Sequence, residues 1–273
     1  MSALFIINEI STEGQIILGV LIFLIVSLLL FYGFRALELV YVLLRKRPFF
    51  VYYPFYLKRL NARHRSILQT QFPFYNKLSP NQKKHFEHRV AQFIIRKKII
   101  GRENLVVTDE MKVLIAATGV MLTFGFRDYK IALMERIFIY PDVFYSPQNE
   151  AYHKGEFNPK FKSLVLSWKH FVKGYTYGDD NVNLGIHEFA HAIHLNSIKQ
   201  NDVSATIFSD TFKALMGLLS KDETLRKELI ASDYFRAYAY TNAYEFIAVL
   251  LETFIETPQE LKLQFPEIYN LTK

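Results

Sequence analysis

The sequence contains no cysteine. That absence excludes a disulfide framework, a thiol nucleophile and thiolate ligands, so any metal must be held by histidine and carboxylate. No lysine or arginine precedes Arg35. A cleaved signal peptide would carry a basic start, a shorter apolar region and a small-residue cleavage site, and none of these is present. Internal repeats and low-complexity tracts are missing as well, which argues against a repeat architecture.

What is present first is hydrophobicity. At 51% hydrophobic content, 273 residues suffice for one good core or for a domain plus an anchor. Residues 14 to 34 carry no charged side chain and consist mostly of Leu, Ile, Val and Phe. At about 1.5 Å per helical residue they reach across the roughly 30 Å hydrocarbon layer of a bilayer. Region 1–34 is therefore expected to be an N-terminal tail and a transmembrane helix, which Ala36 to Leu44 should prolong until Pro48 stops it. Arg35, Arg45, Lys46 and Arg47 all follow the apolar stretch. The positive-inside rule then puts the rest of the chain on the cytoplasmic side of the cell membrane, single-pass.

The net charge of +7 is unevenly distributed: residues 35 to 103 hold 16 basic and 3 acidic side chains, and residues 104 to 273 hold 17 and 21. The basic part opens with an aromatic cluster of Phe49, Phe50, Tyr52, Tyr53, Phe55 and Tyr56. Such a juxtamembrane segment, residues 35–78, suits the anionic inner face of a bilayer better than it suits nucleic acid, and no nucleic-acid partner is expected.

The residues that point to chemistry are His187-Glu188-Phe189-Ala190-His191. Four apart on a helix, the two imidazoles stand one turn above each other and can present nitrogens to one tetrahedral Zn²⁺, with Glu188 alongside. Bound zinc lowers the pKa of water from about 15.7 to about 7, and a carboxylate beside it can take the proton and pass it to a leaving amine. This is the pattern of a zinc peptidase. The neighbours Leu184, Ile186, Phe189, Ile193 and Leu195 are apolar. A core helix has little reason to place two His and a Glu among them unless something ligates them.

Elsewhere, Ser79-Pro80-Asn81-Gln82 predicts a helix running from Pro80 to near Gly101, with Phe86, Val90, Phe93 and Ile94 buried. On it His85, Glu87 and His88 lie among Lys83, Lys84 and Arg89 and read as a solvated basic face, not a metal site. Leu105-Val106-Val107 is strand-like, Thr108 opens a helix to about Phe124, and Ile137 to Tyr140 reads as a buried strand. Lys162 to Trp168 reads as an edge strand that could receive an extended substrate. Gly174 to Asn183 should be a polar loop capping the motif helix. Helices follow over 202–220 and 222–232 and from Asn242, where Thr257-Pro258 should stop one and cap the next.

A catalytic zinc needs three protein ligands, with the fourth position left for water. His194 rises a turn too far along the helix, and no glycine turn bends it back. Glu245, Glu252 and Glu256 remain. Glu245 also fits a capping box with Asn242, and Glu252 also fits a partner to a ligand histidine.

Several separated stretches occur in one order: Leu105 to Ala116, Ile139-Tyr140-Pro141, Leu166-Ser167-Trp168, His187 to His191, Tyr240-Thr241-Asn242, Tyr244 to Val249 and Pro266-Glu267-Ile268-Tyr269. In these the chain resembles the zinc-dependent peptidases related to Mlc titration factor A (MtfA), whose catalytic domain is similar to that of anthrax lethal factor. The resemblance covers about residues 77 to 273. It implies an α+β, mainly helical zincin-like domain with a small mixed sheet over 79–273. It further implies one Zn²⁺ on His187, His191 and Glu245, Glu188 as general base, and Tyr238 donating to the oxyanion. Tyr240 is the local decoy. The chain departs from the family pattern at Ala243 and His194, neither of them an implied ligand, and the soluble members have no counterpart of residues 14 to 34. A peptide or protein substrate follows. Because such relatives are implicated in capturing a transcriptional repressor, the alternative is a regulatory module that binds a protein partner.

Overall fold

The computed structural model describes residues 11–52, 56–147, 149–176, 178 and 180–273. Tyr53 and Phe55 of the aromatic cluster lie outside them. The chain divides into two compact units, Met1–Phe49 and Phe50–Lys273.

Among its described residues the first unit holds one helix, α1 (Thr12–Arg45). Ser11 accepts the Gly14 N–H at 3.3 Å, and Glu13 and Arg45 sit at the ends whose dipole each complements. Lys46, in the left-handed region at φ 52°, terminates the helix two residues before Pro48. Most of its apolar side chains are exposed, Phe23 at 70% and Leu37 at 72%, and Val42 is buried. The helix is long and apolar enough to cross a membrane, and so continuous an apolar surface needs a non-aqueous environment or a partner.

The second unit starts with α2 (Ala62–Gln71), α3 (Pro73–Asn76) and α4 (Pro80–Arg96). Asn61 caps α2, and Ser79 with Gln82 closes both halves of the capping box on α4. Glu87 accepts from Arg65 at 3.1 and 2.9 Å and from the Tyr75 hydroxyl at 2.7 Å, tying α2 and α3 to α4. Leu68, Phe72 and Tyr75 are buried in the main core, so that core draws on residues of the 35–78 segment.

Three expectations fail here. The helix ends at Arg96, because Lys98–Gly101 forms β1, paired in parallel with Arg136 to Ile139; ladder bonds outweigh helical continuation. Leu105 to Val107 joins no strand. Glu103 and Asn104, with φ of 52° and 62°, turn the chain back over Gly101, where a Cβ would stand 1.9 Å from the Leu105 carbonyl oxygen. The supposed solvated face of α4 is largely covered: His85, Glu87 and Arg89 are only 7%, 8% and 3% exposed, while His88 and Lys83 are half-buried and Lys84 stays exposed.

Thr108 caps α5 (Asp109–Leu122). Then come β2 (Arg136–Tyr140), β3 (Phe144–Ser146), β4 (Ala151–His153), β5 (Gly155–Asn158) and β6 (Ser163–Ser167). The main sheet has the order β1-β2-β6-β5, with β5 alone antiparallel, and β3 pairs with β4 separately. β6 is thus an interior strand with partners on both sides, and its Leu164 and Leu166 are fully buried. The edge expected at Lys162 to Trp168 is provided instead by β5.

Next, α6 (Trp168–Thr176) occupies the start of what reads as a polar loop. It is followed by α7 (Leu184–Lys199), α8 (Val203–Lys221), α9 (Glu223–Ala231), a 3₁₀ turn (Ala237–Tyr240), α10 (Ala243–Glu256), α11 (Pro258–Gln264) and α12 (Pro266–Thr272). Thr257 ends α10 but does not cap α11; its hydroxyl donates to Asn181 Oδ1 at 2.8 Å. The domain is mainly helical with a small mixed sheet. One apolar core, with Phe86, Ile115, Ile137, Leu164 and Phe189, holds α7 against the sheet. A second, with Leu215, Phe235, Phe246, Leu250 and Ile268, holds α10 among the C-terminal helices. The histidines therefore come from one core and Glu245 from the other.

Candidate metal centre

Asn183 sets the start of α7. Its Oδ1 accepts the Ile186 N–H at 3.1 Å, its Nδ2 donates to the Gly174 carbonyl at 2.9 Å and to Glu256 at 3.0 Å, and its N–H donates to Glu252 at 3.1 Å. One buried residue thereby fixes the register of α7 against α10. Every residue from Gly185 to His194 is buried. β5 crosses close to α7: a Cβ on Gly155 would lie 2.6 Å from Glu188 Cγ, so only glycine permits this approach.

The Nε2 atoms of His187 and His191 are 3.1 Å apart, and Glu245 Oε2 lies 3.1 Å from the first and 3.4 Å from the second. Donor atoms held tetrahedrally at about 2.0–2.1 Å from one ion stand about 3.3 Å apart, so this triangle fits such a centre. Glu245 is available because Asn242 caps α10 alone, its Oδ1 accepting the Tyr244 and Glu245 N–H groups at 2.9 Å each. The three residues form a group that could hold a metal ion.

The other candidates lie outside the triangle. The His194 ring packs on Phe212 at 4.3 Å. Glu256 serves Asn183. Glu252, 1% exposed, places Oε1 3.5 Å from His187 Nδ1 and forms an ion pair at 2.5 Å with Arg236. The same guanidinium lies 3.2 Å from His187 Nδ1 and donates to the Asn181 carbonyl at 2.9 Å. The His191 ring stacks on Tyr244, centroids 3.7 Å apart and 4° from parallel.

Charge in this cleft is predominantly carboxylate. Burial pushes Glu188 up to about 7, His187 opposing and Glu245, Glu156 and Glu252 adding to the rise. Burial would lower His187, but Glu245 and Glu252 outweigh it and carry it up to about 9. Burial would likewise raise Glu245, yet the two imidazoles hold it well below the usual carboxylate range. A cation among the three donors would take the place of the proton on His187 and neutralise the cluster.

Tyr238, 51% exposed, lies with its ring 6.0 Å from that of His187, and its pKa is raised by burial and then by the facing Glu245. The Tyr240 hydroxyl is engaged elsewhere, donating to the Leu229 carbonyl at 2.8 Å. Arg236, Tyr244 and Gly155 escape sequence reasoning. Gly155 stands between Lys154 and Glu156, and nothing local marks any of the three.

A His-His-Glu group on two packed helices beside a sheet edge is a possible metal-binding site, and the family match makes this a metallopeptidase-type domain. Residues 55–273 match the model of the glucose-regulated metallo-peptidase M90 family, the family of MtfA, and the chain belongs to it. It is also 27% identical over 230 residues to the uncharacterized protein slr2042 of Synechocystis sp. (strain ATCC 27184 / PCC 6803 / Kazusa), covering 76% of this chain and 81% of that protein.

Proposed function

We propose that this chain is a membrane-anchored zinc-dependent metallopeptidase acting on peptides or proteins, with one Zn²⁺ held by His187, His191 and Glu245. The observation that supports it most is the triangle of donor atoms with sides of 3.1 to 3.4 Å. Two imidazoles, one carboxylate and no thiolate suit catalytic zinc with an open fourth position. When bound, the ion acts as a Lewis acid toward water and the scissile carbonyl.

The chain's own residues do the rest. Glu188, next to the first ligand, takes the proton of the attacking water and returns it to the leaving nitrogen. The Tyr238 hydroxyl donates to the oxygen on which negative charge develops. β5, the edge strand over Glu188, pairs with an extended substrate backbone. Glu252 and Arg236 orient the His187 ring.

Glu188→Gln and Tyr238→Phe should retain metal and fold while losing on the order of 10² or more in kcat, with KM little changed. Metal analysis and turnover of a mixed peptide library by the full chain in detergent test this. If the zinc-loaded wild type and Glu188→Gln give the same null result, the regulatory protein-binding reading replaces the peptidase. For the anchor, α1 spans the cell membrane and residues 35 onward face the cytoplasm. A reporter fused after Lys273 that works only outside the cytoplasm should stay silent, and its activity would reverse the orientation.

A further inference from the structure

A second charged place lies in the same domain. A cavity of about 400 Å³ is lined by Tyr52, His85, His88, Arg89, Tyr129 and Lys130, with Arg127, Asp128 and Asp202 also on its wall. None of these residues belongs to the metal centre.

Arg89 is 3% exposed. It donates four hydrogen bonds, to the carbonyls of Thr123 and Phe124 at 3.0 Å and of Val51 and Phe126 at 2.9 Å, and none of them goes to a carboxylate. Tyr52, Phe124 and Tyr129 face its guanidinium with their rings. The C-terminal dipole of α5 offsets about half an elementary charge. The remainder is a buried cation with no carboxylate paired to it among the described residues, an arrangement that costs free energy unless an anion completes it.

The nearby acids are already engaged. Asp128 pairs with Arg127 at 3.3 Å, and Asp202 caps α8 by accepting the Ala205 N–H at 2.8 Å. The nearby donors are not. His85, 7% exposed and stacked on Tyr52 with centroids 4.3 Å apart, has no hydrogen-bond partner for either ring nitrogen among the described residues. His88 Nδ1 accepts the Lys58 N–H at 2.7 Å, so its proton sits on Nε2, which has no acceptor among the described residues. Burial lowers the His88 pKa, and Arg89, His85, Arg96 and Lys130 lower it further, as a positive field does. Lys130 is exposed.

We infer that this cavity binds a phosphate group, with Arg89 and Lys130 supplying charge and His85 and His88 supplying N–H donors. Its volume lies in the small-ligand range and exceeds what a bare anion needs, so the phosphate carries an organic body against Tyr52 and Tyr129. A soluble phosphate monoester and the headgroup of an anionic lipid share this chemistry.

The test uses the full chain in nanodiscs of phosphatidylcholine alone, with and without 10-fold steps of phenyl phosphate at constant ionic strength, and in nanodiscs containing phosphatidic acid. Thermal unfolding is followed for the wild type, Lys130→Met and His85→Phe, the last keeping the stack on Tyr52. A rise in Tm with phenyl phosphate, shifted at least tenfold in concentration by either variant, supports the inference with a soluble source. A rise only with phosphatidic acid, lost in the same variants, supports it with a lipid source. No rise in either arm, or a rise that both variants retain, overturns it. Arg89→Lys is not needed, so a folding defect at that residue does not blur the outcome.

Discussion

Two buried charged sites in one domain face opposite problems. The cleft at His187 gathers Glu188, Glu245 and Glu252 around two imidazoles, with the Arg236 guanidinium against Glu252, so that negative charge predominates. The cavity at Arg89 gathers a guanidinium, two imidazoles and Lys130, and its two acids are held by other partners. Desolvation penalises charge of either sign equally, so each arrangement persists only if something of the other sign completes it or its hydrogen bonds are otherwise satisfied. The difference lies in how the sites are built. The cleft converges on a point, three atoms within 3.4 Å, as a metal ion requires. The cavity spreads its donors around about 400 Å³, as a larger anion requires.

The largest expected effect separates the two directly. His187→Ala, His191→Ala or Glu245→Ala should each reduce bound metal from about one per chain to none and abolish turnover, because two remaining ligands do not hold a catalytic ion. His194→Ala and His85→Phe should keep full metal content, since neither ring reaches the triangle. Metal analysis of the five purified proteins decides it. If His194→Ala empties the site and Glu245→Ala does not, the ligand assignment is wrong.

A smaller effect tests whether the cleft's second carboxylate is part of its cation site. Glu252→Gln keeps size and still accepts from the Asn183 N–H, but removes the charge beside His187 Nδ1 and Arg236. Metal affinity should fall roughly 10- to 100-fold, the usual cost of losing a partner to a ligand histidine. Competition with a fluorescent zinc chelator measures it. Unchanged affinity with lowered Tm would make Glu252 a structural clamp for α7 and α10 only.

How much of each site was legible follows from how its residues are spaced. His187 and His191 are four apart on one helix, so their geometry can be read without tertiary information. Glu245 could be narrowed to three candidates, but the choice depended on α10 docking against α7 through Asn183, a contact 69 residues long in sequence. Arg236 reaches His187 from a turn, with no local pattern. The cavity was invisible: its walls come from Val51, Tyr52 and Leu57, from α4, from the 127–130 loop and from Asp202. Its charges on α4 therefore read as solvent-facing. In the fold, the caps at Ser79, Thr108, Asn183, Asp202 and Asn242 were all readable because a cap is a local hydrogen bond. Strand positions were less so. Ile99-Ile100 reads as helix until β2 is placed beside it, and Lys162 to Trp168 reads as an edge until β5 is.

The smallest expected effect concerns the acid that the cleft leaves aside. Glu256 is partly buried, accepts from Asn183 Nδ2 at 3.0 Å, and burial pushes its pKa up to about 7, with Asp180 and Glu252 raising it and Asn183 lowering it. A carboxyl whose folded pKa exceeds its unfolded one of 4.5 stabilises the fold most when protonated. Its contribution is complete below that unfolded value and lost as pH rises through about 7. Glu256→Gln keeps an acceptor for Asn183 and cannot ionise. It should therefore match the wild type at pH 4, below the unfolded value, and exceed it at pH 8 by on the order of 1 kcal/mol, after discounting for partial exposure. Chemical denaturation of the metal-loaded chain at both pH values reads this difference. A variant less stable at both would mean that Glu256 works as an anion on Asn183 and that burial there is outweighed. Equal stability at both would mean that water reaches the carboxylate freely, and the cleft's negative charge would then extend one residue pair further than the metal alone can neutralise.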